Sequence, residues 1–249
     1  MKHKFLFILL FSLVLEGMVT TQAVAGDYVH QVNTLIGTKG TGLTSGYLYP
    51  GATYPYGMVQ FTPSYFSKRS GFVINQLSGG GCEHMGNFPT FPVKGKLKMS
   101  PDNILNYRIN VSEEKGHAGY YEAMVQEDIK AKLTVTERTG MASYEYPADQ
   151  QYGTIIIGGG ISATPIEQAA IVITAPNKCE GYAEGGNFCG LRTPYKVYFV
   201  AEFDTDAFET GTWKREELMP NTTFAEGEYS GVYFTFDVNK KKNIQYKIG

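Results

Sequence analysis

Long runs of like charge are missing from this chain, and so is a surplus of either sign. There are 22 Lys and Arg against 24 Asp and Glu, a formal net charge of −2 over 249 residues. A partner held mainly by field, such as nucleic acid or an anionic membrane, is therefore excluded as the principal ligand. Histidine is scarce: of four residues, three (His30, His84 and His117) follow the N-terminal apolar segment. A side-chain metal centre needs several ligands converging, and this supply is thin. Tryptophan is almost absent, with Trp213 alone against 18 Tyr. Tyrosine suits sugar-binding surfaces and β-sheets alike. The apolar run "FLFILLFSLVL", Phe5 to Leu15, is too short for a stable bilayer anchor. With "MKHK" before it and the small-residue site "AVA", Ala23 to Ala25, after it, it reads as a secretion signal. The expectation is a signal peptide over 1–25, a mature domain over 26–249, a secreted or periplasmic location and no membrane insertion. No cysteine adjoins the cleavage site, which argues against a lipid anchor.

Cysteine is also sparse, with Cys82, Cys179 and Cys189. In an oxidising compartment Cys179 and Cys189 would close a short loop around "EGYAEGGNF", leaving Cys82 over. The alternative is two ordinary buried thiols. "NVS" at Asn110 and "NTT" at Asn221 match the N-glycosylation pattern and matter only on a eukaryotic secretory route.

What the chain has in quantity is period-two alternation. "IKAKLTVTE" sets Ile129, Ala131, Leu133 and Val135 on one face and Lys130, Lys132, Thr134 and Thr136 on the other. "YKVYFVAEFD" aligns Val197, Phe199, Ala201 and Phe203. "GVYFTFDV" aligns Val232, Phe234, Phe236 and Val238 against Tyr233, Thr235 and Asp237. "GYYEAMVQ", "MASYEYP" and the buried run "TIIIGG" continue the pattern, punctuated by Gly, Pro, Asn and Asp. No convincing amphipathic helix follows the signal. The prediction is an all-β fold, a mostly antiparallel β-sandwich. The last residues, "KKNIQYKIG", also alternate as a strand, with nothing after them to turn it back. The expectation is a longer natural protein.

Two glycine-rich stretches stand apart. Val32 to Pro63 is a long tyrosine-containing loop leading to an apolar strand at Met58 to Phe61, and long ordered loops are usually functional. "GGGCEHMGNFP", Gly79 to Pro89, gathers glycine, thiol, carboxylate and imidazole. A phosphate cradle would need a helix and usually a Lys after the glycines, which are lacking. A metal site is disfavoured because Glu83 and His84 are neighbours, which point apart in an extended chain. A Cys82 nucleophile lacks a group to orient its base. Two readings stay open: a glycine-rich turn with a buried thiol, or a loop whose polar tips reach a ligand. Elsewhere, Glu202 and Asp204 lie two apart on a strand, roughly 7 Å between Cα atoms. That overlaps the carboxyl separation of inverting glycosidases, about 6.5–9.5 Å. Exposed strands often carry such pairs, so no catalytic residue is assigned.

Five blocks in order carry a resemblance: "VNTLIGT", "YPGATYPYGMVQFTP", "LSGGGCEHMGNFPTFPVKG", "GYYEAMVQEDIKAKLTVTERTGMASYEYP" and "YKVYFVAEFD". Together they resemble the N-terminal domain of glycoside hydrolase family 92, the calcium-dependent exo-α-mannosidases, over nearly all of the mature chain. The resemblance implies a large sandwich of the supersandwich type, followed in the full-length enzyme by an α-helical catalytic toroid. It implies an inverting mechanism whose carboxylates and calcium ligands lie in the toroid. This chain would then hold no catalytic residue and no metal or other cofactor of its own; its partners would be a mannose-containing glycan and the missing C-terminal catalytic domain. It implies that "GGGCEHMG" is a pocket-side loop. On that basis Glu83, His84, Asn87 and Arg69 are expected to meet sugar hydroxyls, and Tyr49 and Phe66 the sugar's C–H face. The chain departs from the family where relatives often carry a tryptophan before "SGY" and "CSDYGD" in place of "CEHMGN". The alternative function is a stand-alone secreted carbohydrate-binding module.

Overall fold

Alternation in the sequence becomes strand through most of the described residues. The computed structural model describes residues 28–38, 48–64, 71–77, 79, 82, 84–102 and 111–249. Residues 1–25, read above as a signal peptide, and Phe66, Arg69, Glu83 and Asn110 lie outside them. The chain divides into two compact units, Met1–Gln31 and Val32–Gly249. In the first, Tyr28–Gln31 forms a 3-10 turn with Tyr28 and Val29 exposed. No helix among the described residues is long and apolar enough to cross a membrane.

In chain order the strands are β1 (Ala52–Thr53), β2 (Gln60–Pro63), β3 (Phe72–Val73), β4 (Thr90–Lys94), β5 (Val111–His117), β6 (Tyr120–Val125), β7 (Ile129–Val135), β8 (Gly140–Glu145) and β9 (Tyr152–Gly158). They continue with β10 (Ile166–Ala175), β11 (Lys178–Phe188), β12 (Leu191–Phe203), β13 (Glu209–Lys214), β14 (Glu217–Pro220), β15 (Phe224–Glu226), β16 (Ser230–Asp237) and β17 (Asn243–Ile248). One sheet runs β1-β2-β3-β4-β9-β16-β13-β14, the other β15-β10-β11-β12-β17-β8-β7-β6-β5. The fold is an all-β antiparallel sandwich. The strand predicted at Met58 to Phe61 begins two residues later, because Met58 stays exposed in the preceding turn. Edges are blunted: β14 ends in Pro220 and β5 is broken by a bulge between Ser112 and Lys115.

The core is the aromatic layer between the sheets. Phe203 of β12 lies 4.7 Å from Phe234 and 5.1 Å from Phe236, both on β16. Phe72 of β3 stacks on Tyr144 of β8 at 6.0 Å, and Phe88 meets Phe199 of β12 at 4.2 Å. On the predicted inward faces of β7 and β12, Ile129, Ala131 and Leu133 and Phe199, Ala201 and Phe203 are buried, while Val135 and Val197 are only partly so. Each buried Ile, Leu or Phe contributes roughly 1.5–3 kcal/mol relative to exposure. A polar knot crosses this layer. Tyr246 donates to the Thr90 hydroxyl at 2.6 Å, and Tyr144 lies 3.1 Å from the same oxygen. It ties central β17 to β4 across the sandwich.

β16 keeps the two faces read from its alternation, and both are buried. Tyr233 and Thr235 are as buried as Val232, Phe234 and Phe236. A segment crossing the sheet's outer face accounts for this. Gly95 accepts from the Thr154 hydroxyl on β9, Lys96 pairs with Glu209 on β13, and the Ser100 hydroxyl donates to the carbonyl of Arg215. Trp213, paired with Gly231, is buried on the same face. A side chain at Gly231 would collide with the indole and with the Ile157 carbonyl. Gly231→Ala is expected to destabilise the domain by about 2–3 kcal/mol through overpacking. Urea melts check it; the Trp213→Phe background should recover part of the loss, since the clash is pairwise.

Candidate functional site

The Gly79–Pro89 stretch folds as a loop fastened at several points. Its base is a bridge between Gln76 and Met85. Asn75 receives the backbone N–H of Asn87 at 2.8 Å and donates its amide to Asn87 Oδ1 at 3.2 Å. The carbonyl of Met85 accepts from Ala163 N at 2.8 Å. Met85 and Phe88 both take left-handed backbone, with φ of 57° and 53°. Such positions cost about 1–3 kcal/mol for ordinary residues and persist where surroundings over-determine them. Here Phe88, wholly buried against Phe199, supplies that anchor.

The hairpin turn between β11 and β12 closes over the loop. Cys82 is bonded to Cys189, with Cα atoms 5.4 Å apart. His84 is only 8% exposed and sits edge-on to Phe188 at 5.4 Å and Tyr195 at 5.6 Å. Its Nδ1 lies 3.1 Å from the Asn187 carbonyl. A carbonyl only accepts, so Nδ1 carries the proton, and in the neutral ring Nε2 is left as an acceptor. That is the polarity needed to receive a ligand hydroxyl.

The predicted Cys179–Cys189 disulfide is corrected by this structure. The residues between the two are strand β11, not a loop. Ten residues of strand span about 33 Å, whereas disulfide Cα atoms lie within about 7 Å. Cys179 is a free thiol buried in the core, and burial pushes its pKa well above the usual thiol range.

Of the other predicted contacts, Tyr49 comes to the same segment: its hydroxyl donates to the Leu77 carbonyl at 2.6 Å. Asn87 is fully buried and bonded to Asn75, so its amide braces the loop from within. Glu83, Arg69 and Phe66 fall outside the described residues. Asn187, Phe188 and Tyr195 were not anticipated. For Asn187 and Phe188 the signal was "GGNFCG", which repeats the glycine, aromatic and cysteine composition of the first motif.

Chemistry of bond cleavage finds little support among these groups. Asp204 is engaged by Lys241 at 2.8 Å and by the backbone N–H of Gln245 at 3.2 Å, which makes it a strap between β12 and β17. Glu202 is exposed beside it. Among the described residues no three His, Cys, Asp or Glu side chains converge as metal ligands.

The family model for the glycosyl hydrolase family 92 N-terminal domain matches residues 31–249. The chain belongs to family 92, as its N-terminal domain. Family 92 structures share its fold. The α-mannosidase BT3965 of Bacteroides thetaiotaomicron superposes with a TM-score of 0.73 at 24% identity, over 89% of this chain and 32% of that one. The inverting mannosidase BT2199 of the same organism gives 0.72 at 22% identity, over 89% and 31%. A secreted glycosidase of Arthroderma benhamiae, named as uncharacterised, is 30% identical over 159 residues, which is 55% of this chain and 20% of the relative. The chain thus spans about a third of the solved family 92 enzymes and a fifth of the curated relative.

Proposed function

We propose that this family 92 domain forms one wall of a mannose pocket in a secreted, inverting exo-α-mannosidase. The cleaving carboxylates and any calcium then belong to another part of the whole enzyme. The observation that carries the reading is the loop itself. The loop is fixed by a disulfide, a strand bridge and a buried Phe88, and holds a histidine, largely enclosed by Phe188 and Tyr195, whose Nδ1 is tied to the Asn187 carbonyl. Rigid support of a polar group is what sugar recognition requires, because a loosely held group loses affinity to ordering. The sandwich serves as the scaffold that holds this wall.

Activity of the purified mature chain, residues 26–249, tests it. On an aryl α-mannoside no turnover is expected, with or without calcium, and a chelator should leave its melting temperature unchanged. Turnover abolished by Glu202→Gln would overturn the proposal. In ligand-observed NMR, methyl α-mannoside at millimolar concentration is expected to give weak saturation transfer that His84→Ala removes. Transfer unchanged in that variant would take the sugar away from this loop.

A further inference from the structure

We propose that the Cys82–Cys189 bond acts as a redox clasp: it holds a flap of the β11–β12 hairpin over His84, and reduction by a dithiol lets that flap swing away. The flap is the end of the hairpin, residues 187–193. The ladder between β11 and β12 keeps its register from Lys178 opposite Glu202 to Gly185 opposite Tyr195, then slips. Beyond the slip Asn187 pairs with Arg192 and Phe188 with Leu191, so Gly186 opposes both Thr193 and Pro194 in a β-bulge. Proline has no N–H to offer the ladder. Gly186, at φ 136°, sits where a side chain would collide with the Thr193 carbonyl. This break in the ladder is the hinge.

Most of what encloses His84 lies beyond that hinge. The Asn187 carbonyl, 3.1 Å from Nδ1, and the Phe188 ring, 5.4 Å away, belong to the flap, whereas Tyr195 lies below the bulge and stays. Two further ties fasten the flap. Arg192 pairs with Glu167 at 3.2 Å, and Cys189 is bonded to Cys82. The ion pair joins side chains that are 74% and 50% exposed, and such pairs add little. Ordering the flap costs backbone entropy that opposes closure. The covalent tie decides the balance. Neither of its cysteines belongs to the buried core, so opening it leaves the aromatic layer between the sheets in place.

In the redox step one S–S bond breaks. Cys82 and Cys189 each gain an electron and a proton to become thiols, and the dithiol loses two of each and closes to its own disulfide. Cys179 is sealed in the core and out of reach of both sulfurs, so oxidation restores the same pair. A reduced chain holds His84 uncovered and unoriented until oxidation closes the flap. The consequence for ligand binding rests on the pocket-wall reading, whereas the clasp itself concerns only how His84 is enclosed.

Carbethoxylation by diethyl pyrocarbonate, followed by peptide mass mapping, tests the clasp, because the reagent attacks the unprotonated imidazole nitrogen, Nε2 in His84. In the oxidised mature chain, residues 26–249, His84 is expected to react slowly and the exposed His117 quickly. After dithiothreitol treatment and desalting under nitrogen, His84 should react roughly tenfold faster or more, the scale of uncovering a group held closed. The double variant Cys82→Ser/Cys189→Ser should match the reduced chain, with the His117 rate and the strand signal in circular dichroism unchanged. Reoxidation should restore the slow rate. Equal His84 rates in the two redox states would overturn the clasp. Loss of the strand signal on reduction would also overturn it, because the bond would then be a staple for the whole sandwich. Saturation transfer from methyl α-mannoside separates the two proposals. Its absence from the oxidised chain, with switching His84 rates, removes the sugar and leaves the clasp. Its presence with equal rates removes the clasp and leaves the sugar.

Discussion

Replacing Cys82 by serine is expected to destabilise the domain by about 5 kcal/mol, the chain-entropy scale for a cross-link of this span. The Cys82–Cys189 bond joins residues 107 apart in sequence. Opening it releases a large loop of the unfolded chain and also frees the hairpin turn that covers His84. Urea melts of Cys82→Ser, Cys189→Ser and the double variant should coincide, because all three remove one bond. Cys179→Ser should differ from them, since it places a hydroxyl in the core without touching the cross-link. A non-reducing peptide map should show Cys82 joined to Cys189. One thiol should resist alkylation until the protein is denatured, as expected of a buried Cys179 whose ionisation is suppressed. A map showing Cys179 in the cross-link would reject this arrangement.

That cross-link also marks where the sequence stopped being legible. Pairing Cys179 with Cys189 assumed that nearness in sequence meant nearness in space. "EGYAEGGNF" carries glycines that read as a loop, yet Tyr182 and Ala183 pair across to Tyr198 and Val197 as strand. Alternation succeeded where one face meets the core and the other meets water. β7 shows this with buried Ile129, Ala131 and Leu133 against more accessible Lys130 and Lys132. It gave the two faces of β16 but not their burial, because Thr235 is sealed by a crossing segment that no local pattern reveals. The motif around His84 was singled out by composition, but its partners Asn187, Phe188 and Tyr195 come from a hairpin about a hundred residues on. Such a meeting depends on sheet order, which single-strand periodicity does not encode. Burial likewise reassigns Asn87 from a surface amide to a brace.

Alkali is expected to unfold the domain cooperatively, starting just above pH 10. Tyr144, Tyr146 and Tyr246 are wholly buried in the sandwich, and desolvation raises the pKa of each well above the usual phenol value. Tyr121 is raised the same way, with the nearby Glu114 carboxylate adding to the effect. In the unfolded chain all four ionise near pH 10. With folded values raised, the native state holds protons that the unfolded state has released. The stability is therefore complete below about pH 10 and is lost as pH rises toward the folded values. Each tyrosine removes about 1.4 kcal/mol per pH unit in that window. Four together remove about 5–6 kcal/mol per unit, comparable to the whole stability of a typical domain. A final step in tyrosinate absorbance, the share of the four buried phenols among 18 tyrosines, should rise steeply and together with the loss of the strand signal in circular dichroism. Tyr246→Phe should make the transition less steep by one group, while removing its bond to Thr90 lowers stability at neutral pH. Ionisation of all 18 tyrosines with the strand signal intact would mean that these phenols are reachable by solvent in the native state, and would reject the sealed aromatic layer between the sheets.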